Sequence, residues 1–106
     1  MKLKHLKHIF FLRRVSGQSM DPMLLPGQLI IGSSLLSKKV NRVVIFNDKN
    51  LDKIKLISRI RDGKYFVLGI NLKNSTDSRH FGWINEDQII GVMVYPRIKK
   101  IKKVLH

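Results

Sequence analysis

Apolar positions along this chain come in short bursts separated by turn residues. Gln28–Gly32, Asn41–Phe46, Lys53–Arg61, Lys64–Leu68 and Gln88–Tyr95 are rich in Ile, Val, Leu, Phe and Tyr. Runs of that length and make-up, bounded by Gly, Pro, Asn and Asp, read as β-strands. Asp62-Gly63 between two of them predicts a tight hairpin, and Pro26-Gly27 and Asn47-Asp48 mark further turns. The stretch Asn71–Phe81 crowds Asn, Ser, Thr and Asp together and reads as a loop. Sustained helical periodicity is absent; Met20–Leu25 leaves room for a single helical turn. The pattern predicts a mostly β protein, a compact antiparallel domain with long functional loops.

Composition narrows this picture. A chain of 106 residues is one domain with a modest core. It has no cysteine, which excludes disulfides, thiolate metal sites and cysteine nucleophiles. The net charge of +14 is unevenly spread. Lys2, Lys4, Lys7, Arg13 and Arg14 at one end, and Arg97, Lys99, Lys100, Lys102 and Lys103 at the other, supply ten bases with no acid. We therefore expect a basic N-terminal segment 1–14, a catalytic β domain 15–96 and a basic tail 97–106.

Basic ends of this kind suit an anionic membrane surface, nucleic acid or an acidic partner, or serve solubility alone. No helix-turn-helix, zinc or aromatic-basic RNA motif is present, which argues against nucleic-acid recognition. Nothing approaches the ~20 apolar residues of a spanning helix. The run Ile9–Leu12 is too short for a signal peptide and is followed at once by Arg13-Arg14. The expected location is the cytoplasm or, by peripheral contact, a membrane surface.

Candidate chemistry begins at Ser19, which follows Gly17-Gln18 and precedes Met20-Asp21-Pro22. Glycine two residues before a serine lets a substrate strand approach the backbone closely. A lone serine at such a place is also a common cap for a helical turn. The wider pattern changes the weight. Gly17-Gln-Ser-Met-Asp-Pro, then Leu24-Leu25 and Pro26-Gly27, resembles the nucleophile box of the signal peptidase I family, with Met23 and Gln28 at two positions where the family has Thr and Asp. Asn41–Phe46 resembles the family's Val-rich strand without its Gly-Asp, and Lys55 falls at the family's lysine base. Gly69-Ile-Asn-Leu-Lys-Asn-Ser-Thr-Asp-Ser-Arg-His-Phe-Gly82 resembles its final box. Among the branches, the small maturation proteases of nickel superoxide dismutase look most similar.

The resemblance implies a β fold of the signal peptidase and SOS-repressor-protease type. It also implies a serine endopeptidase acting on a precursor protein, with no cofactor and no metal. Ser19 would be the nucleophile and Lys55 the general base. Gly17 stands where some relatives place a serine with a second oxyanion donor. Ser75 would bond and orient the lysine amine, Asp77 and Arg79 would pair to hold the loop, and the Ser19 backbone N–H would help bind the oxyanion. His5, His8, His80 and His106 lack a matching Asp pattern and are set aside as bases.

A lysine can serve as base only if burial lowers a pKa near ~10.4; otherwise a lysine in a strand snorkels to water. Ser58-Arg59-Ile60 is a competing register in which the lysine is lost, but spacing to the final box favours Lys55. The family's Arg and Asp are replaced by Leu56 and Ile70, which we read as an ion pair turned apolar. Two other readings stand beside this one. One is an SOS-type repressor autoprotease, which lacks the final box. The other is a catalytically silent module binding an anionic surface or nucleic acid. Substrate, cut site and oligomeric state are not written in the pattern.

Overall fold

Val43-Val44-Ile45-Phe46 is a continuous apolar run, and such a run needs cover on both faces. A computed structural model describing residues 9–98 shows that cover. Seven strands form one antiparallel sheet: β1 (Phe10–Arg14), β2 (Leu29–Ser33), β3 (Val43–Asp48), β4 (Leu51–Arg61), β5 (Lys64–Leu68), β6 (Ile84–Asn85) and β7 (Ile89–Tyr95). Their order is β1-β2-β7-β3-β4-β5-β6, which puts β3 at the centre. Val43 and Ile45 enter a cluster with Val15, Met20, Leu24, Ile30 and Leu56. Val44 and Phe46 enter a second, with Ile57, Tyr65, Val67, Ile84 and Val92. Alternation along the strand divides the run between these two clusters.

The loop from Val15 to Leu24 covers the first cluster. The second is covered by Phe81 of α1 (Ser78–Phe81), a single helical turn, and by Ile84. Asp77 caps α1 by accepting from the Arg79 N–H. A 3₁₀ turn, Leu72–Asn74, also lies within the stretch expected to be loop. Met20–Leu25 does form its one turn, with the Leu24 N–H donating to the Met20 carbonyl at 2.8 Å.

Two expectations move. The β3–β4 reversal falls at Lys49-Asn50, both with positive φ, rather than at Asn47-Asp48. The Asn47 side chain accepts from the Asn50 N–H and so supports the turn from its entrance. The sheet also begins earlier than residue 15. Phe10–Arg14 pairs with Leu29–Ser33, and Phe11 packs on the first cluster. Arg13 escapes the character of a basic flap because Asp52 holds it at 2.7 Å. Residues 1–8 and 99–106, with most of the terminal charge, lie outside the described residues. Asp62-Gly63 turns as predicted, with φ of 51° and 73° and Arg61 opposite Lys64. Among the described residues no helix is long and apolar enough to cross a membrane.

Candidate active site

β4 is paired to β3 over its first half, where Lys55 lies opposite Val44. Its second half, from Leu56 onward, pairs with β5. Lys55 therefore sits where the strand changes partners, and the residue is 7% exposed. Ser19 comes from the loop after β1, whose base is closed by Val15 N–H to Gln28 carbonyl (2.8 Å) and Gly27 N–H to Val15 carbonyl (2.7 Å). Lys55 Nζ and Ser19 Oγ are 2.6 Å apart. Burial pulls the lysine pKa down from 10.5 to about 8; Asp77 opposes the shift and Lys53 adds to it.

The final box builds the surroundings of this pair. Asn71 N–H donates to the Ser19 carbonyl at 2.8 Å, tying the box to the serine loop. At Gly69, a Cβ would lie 2.7 Å from the Ser19 carbonyl oxygen and still nearer the Ser75 side chain. Only glycine lets the two chains come this close. Asp77 is fully buried and accepts from Gly69 N–H (2.9 Å), Ser75 Oγ (2.7 Å) and Arg79 Nε (2.9 Å). Burial alone would raise its pKa. The Arg79 guanidinium, the Gly69 N–H and the Ser75 hydroxyl outweigh burial and hold it at about 2. Arg79 Nη2 reaches on to the Leu72 carbonyl at 2.7 Å, closing the loop.

Ser19 and Lys55 thus meet directly, and Asp77 and Arg79 pair. Ser75, which the resemblance places against the lysine amine, lies beside Asp77. Its hydroxyl donates to Asp77 Oδ2, while the amine's hydrogen bond goes to Ser19. The Ser75 hydroxyl keeps its lone pairs as acceptors, and Asp77 acts on the lysine through its charge. Gly17 has φ of +76° with open space where a Cβ would stand. Backbone conformation, more than crowding, calls for glycine there. His80 uses Nδ1 to accept the Asp77 N–H (3.4 Å), a capping role. Leu56 is fully buried in the first cluster, and Ile70 packs against that same cluster.

A cleft of about 280 Å³ opens in front of the pair, lined on one side by Arg14–Met20 and on the other by Leu51–Lys55 and Asn74. Asn74, in the stretch expected to be loop, and Asp52 and Lys53 of β4 carry no sequence signal of this role; the fold brings them to the cleft from distant segments. Ser58 stands at a register shift between Ile57 and Arg59, away from this cleft. Among the described residues no group of three or more His, Asp or Glu side chains could hold a metal ion.

Several known proteins are similar to stretches of this chain. A stretch of this chain is 45% identical over 49 residues to "Signal peptidase I V" of Bacillus subtilis, covering 46% of this chain and 29% of that protein. "Signal peptidase I" of Buchnera aphidicola subsp. Acyrthosiphon pisum is 33% identical over 63 residues, covering 59% and 18%. "Signal peptidase IB" of Staphylococcus aureus is 62% identical over 32 residues, covering 30% and 17%. The chain matches less than a third of the length of each. A family model described as signal peptidase, peptidase S26, matches residues 36–97, a span that includes Lys55, Ser75, Asp77 and Arg79 and follows Ser19. That span exceeds half of the sequence: the chain belongs to the S26 signal peptidase family.

Proposed function

We propose that this chain is a serine endopeptidase domain that removes an N-terminal signal or propeptide from a precursor protein, with Ser19 as nucleophile and Lys55 as general base. The observation that carries this reading is the 2.6 Å contact between a buried lysine and a serine hydroxyl at the edge of a cleft. With a pKa of about 8, roughly a tenth of Lys55 is uncharged at pH 7. The free amine takes the Ser19 proton as Oγ attacks the scissile carbonyl carbon. Charge then develops on the carbonyl oxygen, where the Ser19 backbone N–H supplies a donor. As the C–N bond breaks, Lys55 returns the proton to the departing amine, leaving an ester on Ser19. Water, deprotonated by Lys55 in turn, cleaves the ester and releases the acid.

The same cleft suits an extended polypeptide. Among the described residues β1 pairs only with β2, and β5 joins β4 only from Leu56 onward. Bare backbone edges of both strands therefore border the cleft, ready to hydrogen-bond a strand laid between them. The test is incubation of precursor proteins with wild type, Ser19→Ala and Lys55→Ala. We expect cleavage by wild type alone. Cleavage surviving in either variant overturns the pair, and a precursor panel left uncut by wild type overturns the activity.

A further inference from the structure

Beyond the cleft, β4 continues outward into a surface of different character. Past the register shift after Ile57, Arg59 lies opposite Phe66 and Arg61 opposite Lys64, so all four share one face of the β4–β5 hairpin. Trp83 joins them, its ring 5.2 Å from that of Phe66. The Arg59 guanidinium lies over both rings, 4.6 Å from the Phe66 centroid and 5.6 Å from that of Trp83. Arg61 lies 5.9 Å from the Trp83 centroid. Arg59, Arg61 and Lys64 are exposed, and among the described residues none of them has a carboxylate partner. A shallow hollow of about 190 Å³ lies between Arg61, Asp62, Lys64 and Trp83.

A guanidinium stacked on a ring has given up much of its rotamer freedom while its N–H edge stays free. Two such edges beside an ammonium form a preorganised receptor for oxyanions. Carboxylates accept from arginine in bidentate fashion. The stacked arginines cover the aromatic faces that a nucleobase would need, which disfavours single-stranded nucleic acid.

Patch and cleft are carried by the same strand. Along the strand, Arg59 is four residues and Arg61 six residues from Lys55, roughly 13 and 20 Å at ~3.3 Å per residue. The cleft holds only a few residues, so the rest of any precursor chain is tethered within that distance, at high effective concentration. We propose that this hairpin face docks an acidic stretch of the precursor polypeptide, a few residues away from the bond to be cut. The proposal rests on the peptidase reading for its partner, though its binding half can be measured without any cleavage.

Trp83 is the only tryptophan in the chain and lies in the patch, so its fluorescence reports occupancy. Titration of the whole chain with a hexaglutamate peptide should give a saturable change in Trp83 emission. The affinity should weaken at least tenfold on raising salt from about 50 to about 300 mM. Ser19→Ala should bind equally well, so a failed dyad and a failed docking surface are told apart. The double variant Arg59→Ala/Arg61→Ala should lose the response. Arg59→Lys/Arg61→Lys keeps the charge and should recover only part of it, since lysine lacks the fork.

In cleavage assays on two precursors that differ only in an acidic stretch, wild type should show about a tenfold lower KM for the acidic one. The Ala double variant should lose that preference while cutting the neutral precursor normally. An emission change that survives in the Ala double variant overturns the proposal. So does tighter binding of a single-stranded oligonucleotide of equal charge, or equal KM for the two precursors.

Discussion

Lys55 Nζ and Ser19 Oγ lie 2.6 Å apart although 36 residues separate them in the chain. The amine must be uncharged to act, and burial brings its pKa down from 10.5 to about 8. Below pH 8 the active fraction falls tenfold per unit, and above it the fraction levels off. We therefore expect kcat/KM to rise with pH through a midpoint near 8, measured on a peptide substrate between about pH 6 and 10. Lys55→Arg, which cannot lose its proton, should be inactive across that range. A midpoint near 10 in wild type contradicts the role. Stability follows the same linkage. Because the native pKa is the lower one, the unfolded chain binds the extra proton between pH 8 and 10.5, so folding gains as pH rises through that window, by roughly 3 kcal/mol in full.

Gly69→Ala should damage both fold and activity. The added methyl meets the Ser19 carbonyl oxygen at 2.7 Å and presses on Ser75, with backbone on one side and a buried side chain on the other. Overpacking of this kind costs about 1–3 kcal/mol. Thermal denaturation should show a lower Tm. The loss in kcat should exceed what unfolding explains, since the serine loop itself is pushed. A Gly69→Ala protein with unchanged kcat and Tm contradicts the close approach.

Asp77→Asn separates two effects of one carboxylate. Asp77 has a native pKa of about 2 against an ordinary 3.8, so its contribution is present above pH 4 and is lost as pH falls toward 2. That contribution is worth roughly 2–3 kcal/mol. Urea denaturation of wild type should show this loss, and Asp77→Asn should be weaker at pH 7 and flatter across the acid range. The negative charge also raises the Lys55 pKa. Its removal should shift the midpoint of the kcat/KM profile downward, even as kcat falls from a loosened loop. A midpoint moved upward contradicts the electrostatic link.

The interior of the sheet was legible from the sequence because its code is local. Val43–Phe46, Lys64–Leu68 and the Asp62-Gly63 turn carry their conformation in adjacent residues. The edge strand Phe10–Arg14 was not legible as part of the sheet. It ends in two arginines whose partners are distant in sequence, Asp52 for Arg13 and the Gly27 carbonyl for Arg14. The motifs that resemble the family pointed to Ser19 and Lys55, and geometry brings those two side chains together. The bond from the Ser75 hydroxyl to Asp77 was not legible, because sequence order does not say which acceptor a hydroxyl meets. Asp52 and Lys53 line the cleft from β4 and Asn74 from the 3₁₀ turn, a meeting of distant segments that no local pattern encodes.

By the resemblance Leu56 and Ile70 stand where the family carries Arg and Asp; Leu56 belongs to the first apolar cluster and Ile70 packs against it. Leu56→Arg places a charge at a fully buried position and should cost more than about 3 kcal/mol. Adding Ile70→Asp should restore part of that loss if the two side chains can meet. The cycle of wild type, both single variants and the double variant, followed by urea denaturation, should give a favourable coupling of about 1 kcal/mol or more. Additive losses contradict the paired exchange.

Arg13 and Asp52 tie the edge strand β1 to the start of β4 at 2.7 Å, with each side chain about one-third exposed. The Arg13 hydrogen bond holds the Asp52 carboxyl below its ordinary pKa, so the pair stays charged near neutrality. An ion pair this exposed contributes under about 1 kcal/mol, and Arg13→Ala should barely change Tm. Its position matters more than its energy. β1 runs directly into the serine loop and β4 carries Lys55, so the pair sets how far apart the walls of the cleft stand. Small errors in such positioning cost rate steeply, and kcat/KM should fall about threefold to tenfold. High salt should act on wild type in the same direction by screening the pair, while Arg13→Ala, with nothing left to screen, should respond less. Equal salt sensitivity in the two proteins contradicts a positioning role for this pair.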